Sequence, residues 1–553
     1  MNKIFVQLLK NRGIPESFLK PKYENLSDPF LLPDMKKAVD RIIKAREKNE
    51  KILVYGDYDV DGITSTAIMV KTLKLIGISD ILTMLPDRFV DGYGMSKRLV
   101  ERAKNENVKL VITVDCGSNN AEIIDDLKAA GVEVIVTDHH ELNSEAPKNA
   151  LAVVNPKRVD FRKKILERQV KIAEGEKLKD FSGLENLSGA GVAFMLAKAL
   201  ADKGEIPAGQ EKWLMDLATI GIICDSMKLT LDNRIICKFG MIVIEKTKNI
   251  GLKELMKVAG AKRVSAEAIG FQIGPRLNAA GRMETAELAL KLFLTDSKVE
   301  AASIAEELNR LNMERRKQQM QAVNEVEQMD VASSSVIIAR GNWHEGIVGI
   351  IAGRITEKYK KPSFILAETE EGLKGSGRSF GEFNLASALN ECRDLLISGG
   401  GHAAACGVKL LPEKYDEFVN AINKYYDGLR LQDQERFLEQ KEDVEVTELK
   451  ELNLELLEEM RSLEPFGEGN MEPIFLLPDV LVLNVTRMGA EGQHVRMLVR
   501  DDNGATIKLV AFNAPEMWLE LNAMARVNIW VCLTENEWNG TRSVEGRILK
   551  IRY

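Results

Sequence analysis

Acids and imidazoles crowd a few short stretches of this chain. In GDYDVDG (56–62) Asp57, Asp59 and Asp61 alternate. Asp115 stands in VDCG, and TDHH supplies Asp138, His139 and His140 in a row. A further acid, Asp225, closes the apolar run of GIICDSM. Carboxylates at this density repel one another unless cations neutralise them. Carboxylates with one or two imidazoles form a mostly hard ligand set, which favours Mn²⁺ or Mg²⁺ over thiolate-type zinc. Two such ions about 3.5–4 Å apart activate a water and stabilise the leaving oxygen of a phosphoester. Asp59, Asp61, Asp115 and Asp225 carry the four negative charges that two divalent cations offset.

Each acid taken singly has a plainer reading, because Asp after a strand also caps helices and closes Asx turns. The alternating acids resemble a calcium loop as well, but the position that would close it holds Ile68 instead of Glu. Turn chemistry, in contrast, does not ask for adjacent histidines, and two of the chain's five are neighbours here.

The surrounding pattern says what positions these groups. KILVY (51–55), ILTML (81–85), KLVITV (109–114) and VEVIVT (132–137) are apolar runs rich in β-branched residues, as in strands buried on both faces. Helical patterns alternate with them, an amphipathic one near 62–76 and another at 95–106. The expectation is an α/β, doubly wound parallel-sheet domain. Ligands bind at the carboxyl ends of such strands, which is where Asp57–Asp61, Asp115 and Asp138–His140 fall. Residues 160–180 read as a charged, exposed excursion. A long polar helix over 300–329, with Ile304, Leu308, Leu311, Val323 and Val326 near one face, bridges to a second α/β unit that begins at SSVIIAR (334–340). The Glu- and Lys-rich stretch 433–460 reads as a helical connector. After it come alternating short strands and three of the five tryptophans, which suits a small β-barrel. The expected divisions are 1–295, 296–332, 333–430 and 431–553.

With 553 residues, a 45% hydrophobic fraction and 29% charged residues, the chain reads as a globular multidomain enzyme. No apolar run approaches the roughly 20 residues of a membrane span. Six scattered cysteines without a Cys-x-x-Cys pair point to a cytoplasmic setting. A net charge of −7 does not by itself suggest nucleic acid, although a basic cleft can sit on an acidic body.

Several further motifs carry a resemblance: PDRFVDGYG (86–94), GPRLNAAGRM (274–283), NWHEGIVGIIAGR (342–354), GSGRS (375–379), GGGHAAACG (399–407) and PFGEGNMEPIF (465–475). With Asp138-His139-His140, in this order and over nearly the whole chain, they resemble the DHH phosphoesterase superfamily and, within it, the RecJ-type single-strand-specific 5′→3′ DNA exonucleases of repair and recombination. The resemblance implies a DHH domain, a DHHA1 substrate-binding domain and a C-terminal OB-fold. It implies Asp59, Asp61, Asp115, His139 and Asp225 as ligands of Mn²⁺ or Mg²⁺, two ions in all, with Asp115 bridging them. His140 would lie near the scissile phosphate and Asp138 would orient its neighbours. Many members carry a metal-binding His where this chain has Tyr55, and Asp57 is the residue that could compensate.

Phosphate contacts are expected from Arg276, Asn278 and Arg282, and from Ser376, Arg378 and His402 beside the glycines Gly399–Gly401. Arg88, with Ser376 and Arg378, would read a 5′-terminal phosphate, and Tyr93 would stack on a base. Any one of these arginines is otherwise an ordinary surface ion pair. His344 is expected to begin a helix, facing a phosphate or capping. In the OB-fold, Trp518, Trp530, Trp538 and Phe512 offer stacking surfaces beside Arg487, Arg496, Lys508 and Arg542, the alternative being tryptophans that fill the barrel core. The implied partners are single-stranded DNA, single-strand-binding protein and a RecQ-type helicase, with no membrane. A phosphodiesterase for small nucleotides shares the metal site but needs no strand-tracking module. A non-catalytic replication scaffold needs no intact acids.

Overall fold

The computed structural model describes all residues apart from 89, 93, 177, 330, 430, 432–440, 490, 491 and 553, and the side chain of 332. Tyr93 and the part of the expected connector within 432–440 therefore lie outside the described residues.

The first apolar runs form five strands, β1 (Ile52–Tyr55), β2 (Ile81–Met84), β3 (Leu110–Val114), β4 (Glu133–Thr137) and β5 (Ala152–Val154). They pair in the order β2-β1-β3-β4-β5, parallel throughout. Alternate side chains enter opposite cores. Ile52, Val54, Leu110, Ile112 and Val114 face the larger one, while Leu53, Tyr55, Val111, Val134 and Val136 face the smaller. Each such side chain contributes about 1.5–3 kcal/mol by leaving water.

The helix after β1, Val60–Leu75, is buried on nearly every side rather than amphipathic. It lies against the helices Gly189–Asp202 and Met215–Cys224. Its polar residues tolerate this because Thr64, Thr66 and Thr72 donate to the carbonyls of Val60, Gly62 and Ile68, one turn back. The excursion at 160–180 holds a helix, Val159–Ala173, anchored by Phe161 and Ile165.

The helix Lys298–Glu327 joins two cores. Ala301, Ile304, Leu308 and Leu311 belong to the core of the first sheet, and Ala322 and Val326 to that of the second. The second sheet has the order β6-β7-β8-β10-β9, with β6 (Ile337–Gly341), β7 (Ser363–Thr369), β8 (Gly372–Arg378), β9 (Ser398–Gly401) and β10 (Ala405–Leu410). Only the β6–β7 pair is parallel. His344 does not begin a helix: the next one is Val348–Tyr359, and the His344 Nδ1 accepts the Gly346 N–H in the turn before it.

The third sheet closes on itself. β11 (Val444–Glu445) flanks β12 (Phe475–Met488), which pairs with both β13 (His494–Arg500) and β15 (Arg526–Trp538). β14 (Thr506–Ala511) and β16 (Thr541–Arg552) complete the ring. The expected short strands are in fact long: β12, β15 and β16 span 14, 13 and 12 residues, and a bulge interrupts each of the pairs β12–β13, β12–β15 and β15–β16. Bulges let one strand bend around a barrel corner. The described part of 433–460 is not one helix. Val444 and Val446 run beside β12, and only Leu454–Met460 is α-helical, with Leu456, Leu457 and Met460 in the barrel core. The first helix of the chain, Lys3–Arg12, puts Phe5 and Leu8 into that same core. Among the described residues no helix is long and apolar enough to cross a membrane.

Candidate active site

Hydrogen bonds between strands continue past their ends into the acidic residues. The Asp115 N–H donates to Thr137 O (2.9 Å), and the Asp138 N–H donates to Val154 O (3.1 Å). Asp115 sits at φ 61°, a left-handed conformation that Asp tolerates better than most residues. Asp59 caps the helix Val60–Leu75 by accepting the Gly62 N–H at 3.0 Å, so the capping reading holds for that residue alongside its place in the cluster.

The side chains meet at one sheet edge. His139 Nε2 lies 3.1 Å from Asp115 Oδ1, 3.6 Å from Asp225 Oδ2 and 3.7 Å from Asp61 Oδ2. Three overlapping groups have ligand atoms within 4.8 Å of one another: Asp115–His139–His140, Asp61–His139–Asp225 and Asp57–Asp59–Asp115. Oδ1 of Asp57 and Oδ1 of Asp115 are buried without a hydrogen-bond donor among the described residues. Burial and mutual repulsion raise the pKa values of these acids. Asp57 and Asp225 are each pushed up to about 8, and Asp59 and Asp115 rise as well. Burial lowers that of His139, which favours the neutral imidazole, the form that ligates metals. Orphaned carboxylate oxygens, a neutral imidazole and uncompensated negative charge together fit divalent cations.

Asp138 points elsewhere. Its Oδ1 accepts the His139 and His140 N–H groups (2.7 and 3.1 Å) and lies 2.8 Å from His140 Nδ1, while Oδ2 accepts the Ser118 N–H (3.0 Å). Burial opposes charge on both partners, yet this hydrogen bond holds Asp138 well below the usual carboxylate range and lifts His140 to about 9. Tyr55 does not face the acids. It is fully buried in the smaller core, and its hydroxyl donates to Gly94 O.

Sequence reasoning passed over Ser188. It caps the helix Gly189–Asp202, and its hydroxyl with the N–H groups of Gly189 and Ala190 donates to Asp61 at 2.9, 2.6 and 3.0 Å. A helix N-terminus thus fixes this carboxylate. A Cβ on Gly189 would fall 2.5 Å from Asp115 Oδ1, and one on Gly221 would fall 2.5 Å from Asp61 Oδ1. The signal was available in SGAG (188–191), a capping Ser followed by small residues.

Arginines gather beside the acids. Arg88 stacks over the Tyr58 ring at 4.9 Å. Arg282, whose Nη1 donates to Gly346 O, feels Arg88, Arg315 and Arg378, and burial together with these charges pushes its pKa down to about 9. Arg378 donates to Ser376 Oγ (2.7 Å) and Gly377 O (2.8 Å). Gly349, in the first turn of the helix Val348–Tyr359, leaves room for it, since a Cβ there would lie 2.9 Å from Arg378 Nη2. His402, in the turn from β9 to β10, lies near Glu141. Asn278 lines a groove with Cys224 and Ser226, the neighbours of Asp225. Arg276 instead lies against the bridging helix, donating to Asn309 Oδ1 and Gln272 O.

In the barrel, Trp530 is 8% exposed and donates to Glu442 Oε2, and Trp518 is packed against the core. Trp538 and Phe512 are 74% and 65% exposed. Arg487 and Arg542 are tied to Glu516 and Glu535, respectively.

Comparison with known proteins finds three matching domains. Family models described as "DHH family, N-terminal domain", "DHHA1 domain" and "RecJ OB domain" match residues 51–222, 331–428 and 443–550. The single-stranded-DNA-specific exonuclease RecJ of Bacillus subtilis is 34% identical over 98% of this chain, which spans 66% of that protein's length. The protein of that name from Dickeya dadantii is 31% identical, with 98% of this chain and 94% of that protein aligned. The crystal structure of Thermus thermophilus RecJ in complex with Mn²⁺ superposes with a TM-score of 0.83 at 30% identity, covering 100% of this chain and 76% of that one.

Proposed function

The chain belongs to the RecJ family of single-stranded-DNA-specific exonucleases, and from that premise we propose that it hydrolyses single-stranded DNA stepwise from the 5′ end at a divalent-metal centre. The observation that carries this reading is the convergence of Asp57, Asp59, Asp61, Asp115, Asp225 and His139 at one sheet edge, with a cluster of arginines beside them.

Asp59, Asp61, Asp115, His139 and Asp225 would hold two Mn²⁺ or Mg²⁺ ions, with Asp57 completing the set. Divalent ions supply an activated water and stabilise the departing oxygen. Ser188 keeps the Asp61 carboxylate turned toward the cluster. Asp138 holds the His140 ring by its Nδ1 and favours its charged form, which would suit the non-bridging oxygens of the scissile phosphate. Arg88, Arg378 and Ser376 would receive the 5′-terminal phosphate. Arg282 and His402 would line the rest of the cleft, with Asn278 at its groove. The barrel holds the incoming strand. Single-strand-binding protein and a RecQ-type helicase are the partners this reading expects.

The test is a Mn²⁺-dependent digestion of a single strand labelled at either end. Early release of the 5′-terminal mononucleotide, with duplex DNA resistant, supports the reading. Release from the 3′ end, or activity confined to dinucleotides, overturns it.

A further inference from the structure

The arginines account for only one flank of the metal centre. Arg88, Arg282 and Arg378 act on one another and on Asp57 and Asp59. A different cation, Lys157, acts on His139, and it has none of the roles assigned so far.

Its place is built. β5 ends at Val154, and the next residue, Asn155, is fully buried. The Asn155 Nδ2 donates to His140 O (2.9 Å) and Ser118 Oγ (2.7 Å), and its Oδ1 accepts the Lys157 N–H (2.7 Å). The backbone of Lys157 is thereby tied to that of the DHH segment. The nearby acids Glu141 and Glu185 are both taken by Arg162, at 2.5–2.9 Å. Lys157 is only partly exposed, and among the described residues its ammonium makes no ion pair or hydrogen bond. Burial disfavours that charge, and Lys228, exposed and also without an ion pair among the described residues, adds a second positive charge to the same place. Glu185 and Glu141 act on that charge but both are paired with Arg162, so an anion would complete a partly buried ammonium that has no ion pair of its own among the described residues.

We propose that Lys157, with Lys228 beside it, forms a phosphate subsite on the 3′ side of the scissile bond and takes the phosphodiester next to the one that is cut. This rests on the exonuclease reading above. With the terminal phosphate among the arginines and the scissile phosphate at the acids, a strand that continues past His139 comes to the cation acting on that residue, Lys157. The same placement makes Lys157 a gauge of substrate length, since a dinucleotide has no phosphate to offer it.

A cycle of protein and substrate changes tests the assignment. Release of the first mononucleotide in Mn²⁺ is measured on two 5′-phosphorylated single strands, one unmodified and one with a neutral methylphosphonate at the second linkage. In the wild-type protein the methylphosphonate lowers kcat/KM about tenfold, the loss of one charge-assisted contact. In Lys157→Ala the same modification costs about twofold or less, and Lys157→Arg recovers most of the sensitivity. Equal penalties in the wild type and in Lys157→Ala, or no penalty in the wild type, overturn the subsite while leaving the exonuclease reading intact. A wild-type protein that does not cut the unmodified strand overturns that reading itself. Melting temperatures of both variants near that of the wild type exclude misfolding as the cause.

Discussion

His139 Nε2 and Asp115 Oδ1 lie 3.1 Å apart at the ends of β4 and β3, and the contact links all three ligand groups in the cluster. Burial, and after it the charges of Asp61, Asp59, Asp57 and Asp225, raise the Asp115 pKa well above the ordinary carboxylate range. Replacing it with Ala removes a shared ligand and a source of repulsion together. Asp115→Ala is expected to lose hydrolysis by about 10²–10⁴-fold. It also loses the rise in melting temperature that Mn²⁺ gives the wild type, while its metal-free form melts higher than the wild type. Near-normal turnover by the purified variant would sink the metal-centre reading.

Ser188 acts on Asp61 without being a ligand candidate itself. Ser188→Ala is expected to raise the Mn²⁺ concentration for half-maximal activity by about 10–100-fold, the usual cost of losing an outer partner of a ligand. Saturating Mn²⁺ restores most of the maximal rate. A metal titration showing an unchanged midpoint and a lower plateau would place Ser188 in the chemistry instead.

Arg378 and Ser376 face the first turn of the helix Val348–Tyr359 across Gly349. A 5′-phosphorylated strand is therefore expected to be degraded faster than a 5′-hydroxyl strand. Arg378→Ala shrinks that preference, by about 1.5–3 kcal/mol for a charged hydrogen bond. Competition between the two substrates in one reaction measures it directly, and equal consumption by the wild type would exclude an end-phosphate pocket.

The barrel aromatics divide by exposure. Phe512→Ala and Trp538→Ala remove open surfaces and are expected to weaken long-strand affinity by about 1–3 kcal/mol per stacked base. Trp530→Ala removes a buried ring covered by Lys550 and Arg552 and breaks the bond to Glu442, so its effect falls on thermal stability. Unchanged binding in the first two variants would assign the barrel another role.

Asp216 is buried away from the site and accepts the hydroxyl of Thr247 at 2.6 Å and its neighbour's N–H. Burial pushes its folded pKa up to about 6, above the ordinary 3.8. Protonation is thus easier in the folded state, and the stability it brings is full below pH 4 and lost as pH rises through 6. The loss is on the order of 3 kcal/mol for a two-unit shift. Asp216→Asn is expected to melt higher than the wild type at pH 8, with the difference vanishing near pH 4. A constant difference across that range would mean the residue is neutral, or charged, throughout.

The parallel sheet was legible because strands buried on both faces write an unbroken apolar run, and β1, β3 and β4 fall within a residue of where those runs stand. The meeting of Asp57, Asp115 and His139 followed from the sheet, since strand ends converge. Less legible was what depends on distant partners. The helix Val60–Leu75 reads as amphipathic from its threonines, but their hydroxyls are satisfied within the helix, so nothing local marks it as buried. Ser188 reads as an ordinary cap, because only the folded chain brings Asp61 to it. Likewise, the Glu and Lys count of 433–460 suggests one helix, while β12, which pairs with β11 far downstream, decides otherwise.

The first helix, Lys3–Arg12, completes a core whose other members begin at Val444. On the ribosome, at about 5–20 residues per second, Phe5 and Leu8 emerge on the order of 20–90 s before the strands that will cover them. In that interval the newborn chain carries an uncovered greasy segment, a natural handle for a chaperone. Translation speed therefore bears on the yield of this protein more than on that of one whose apolar helices all find their partners nearby.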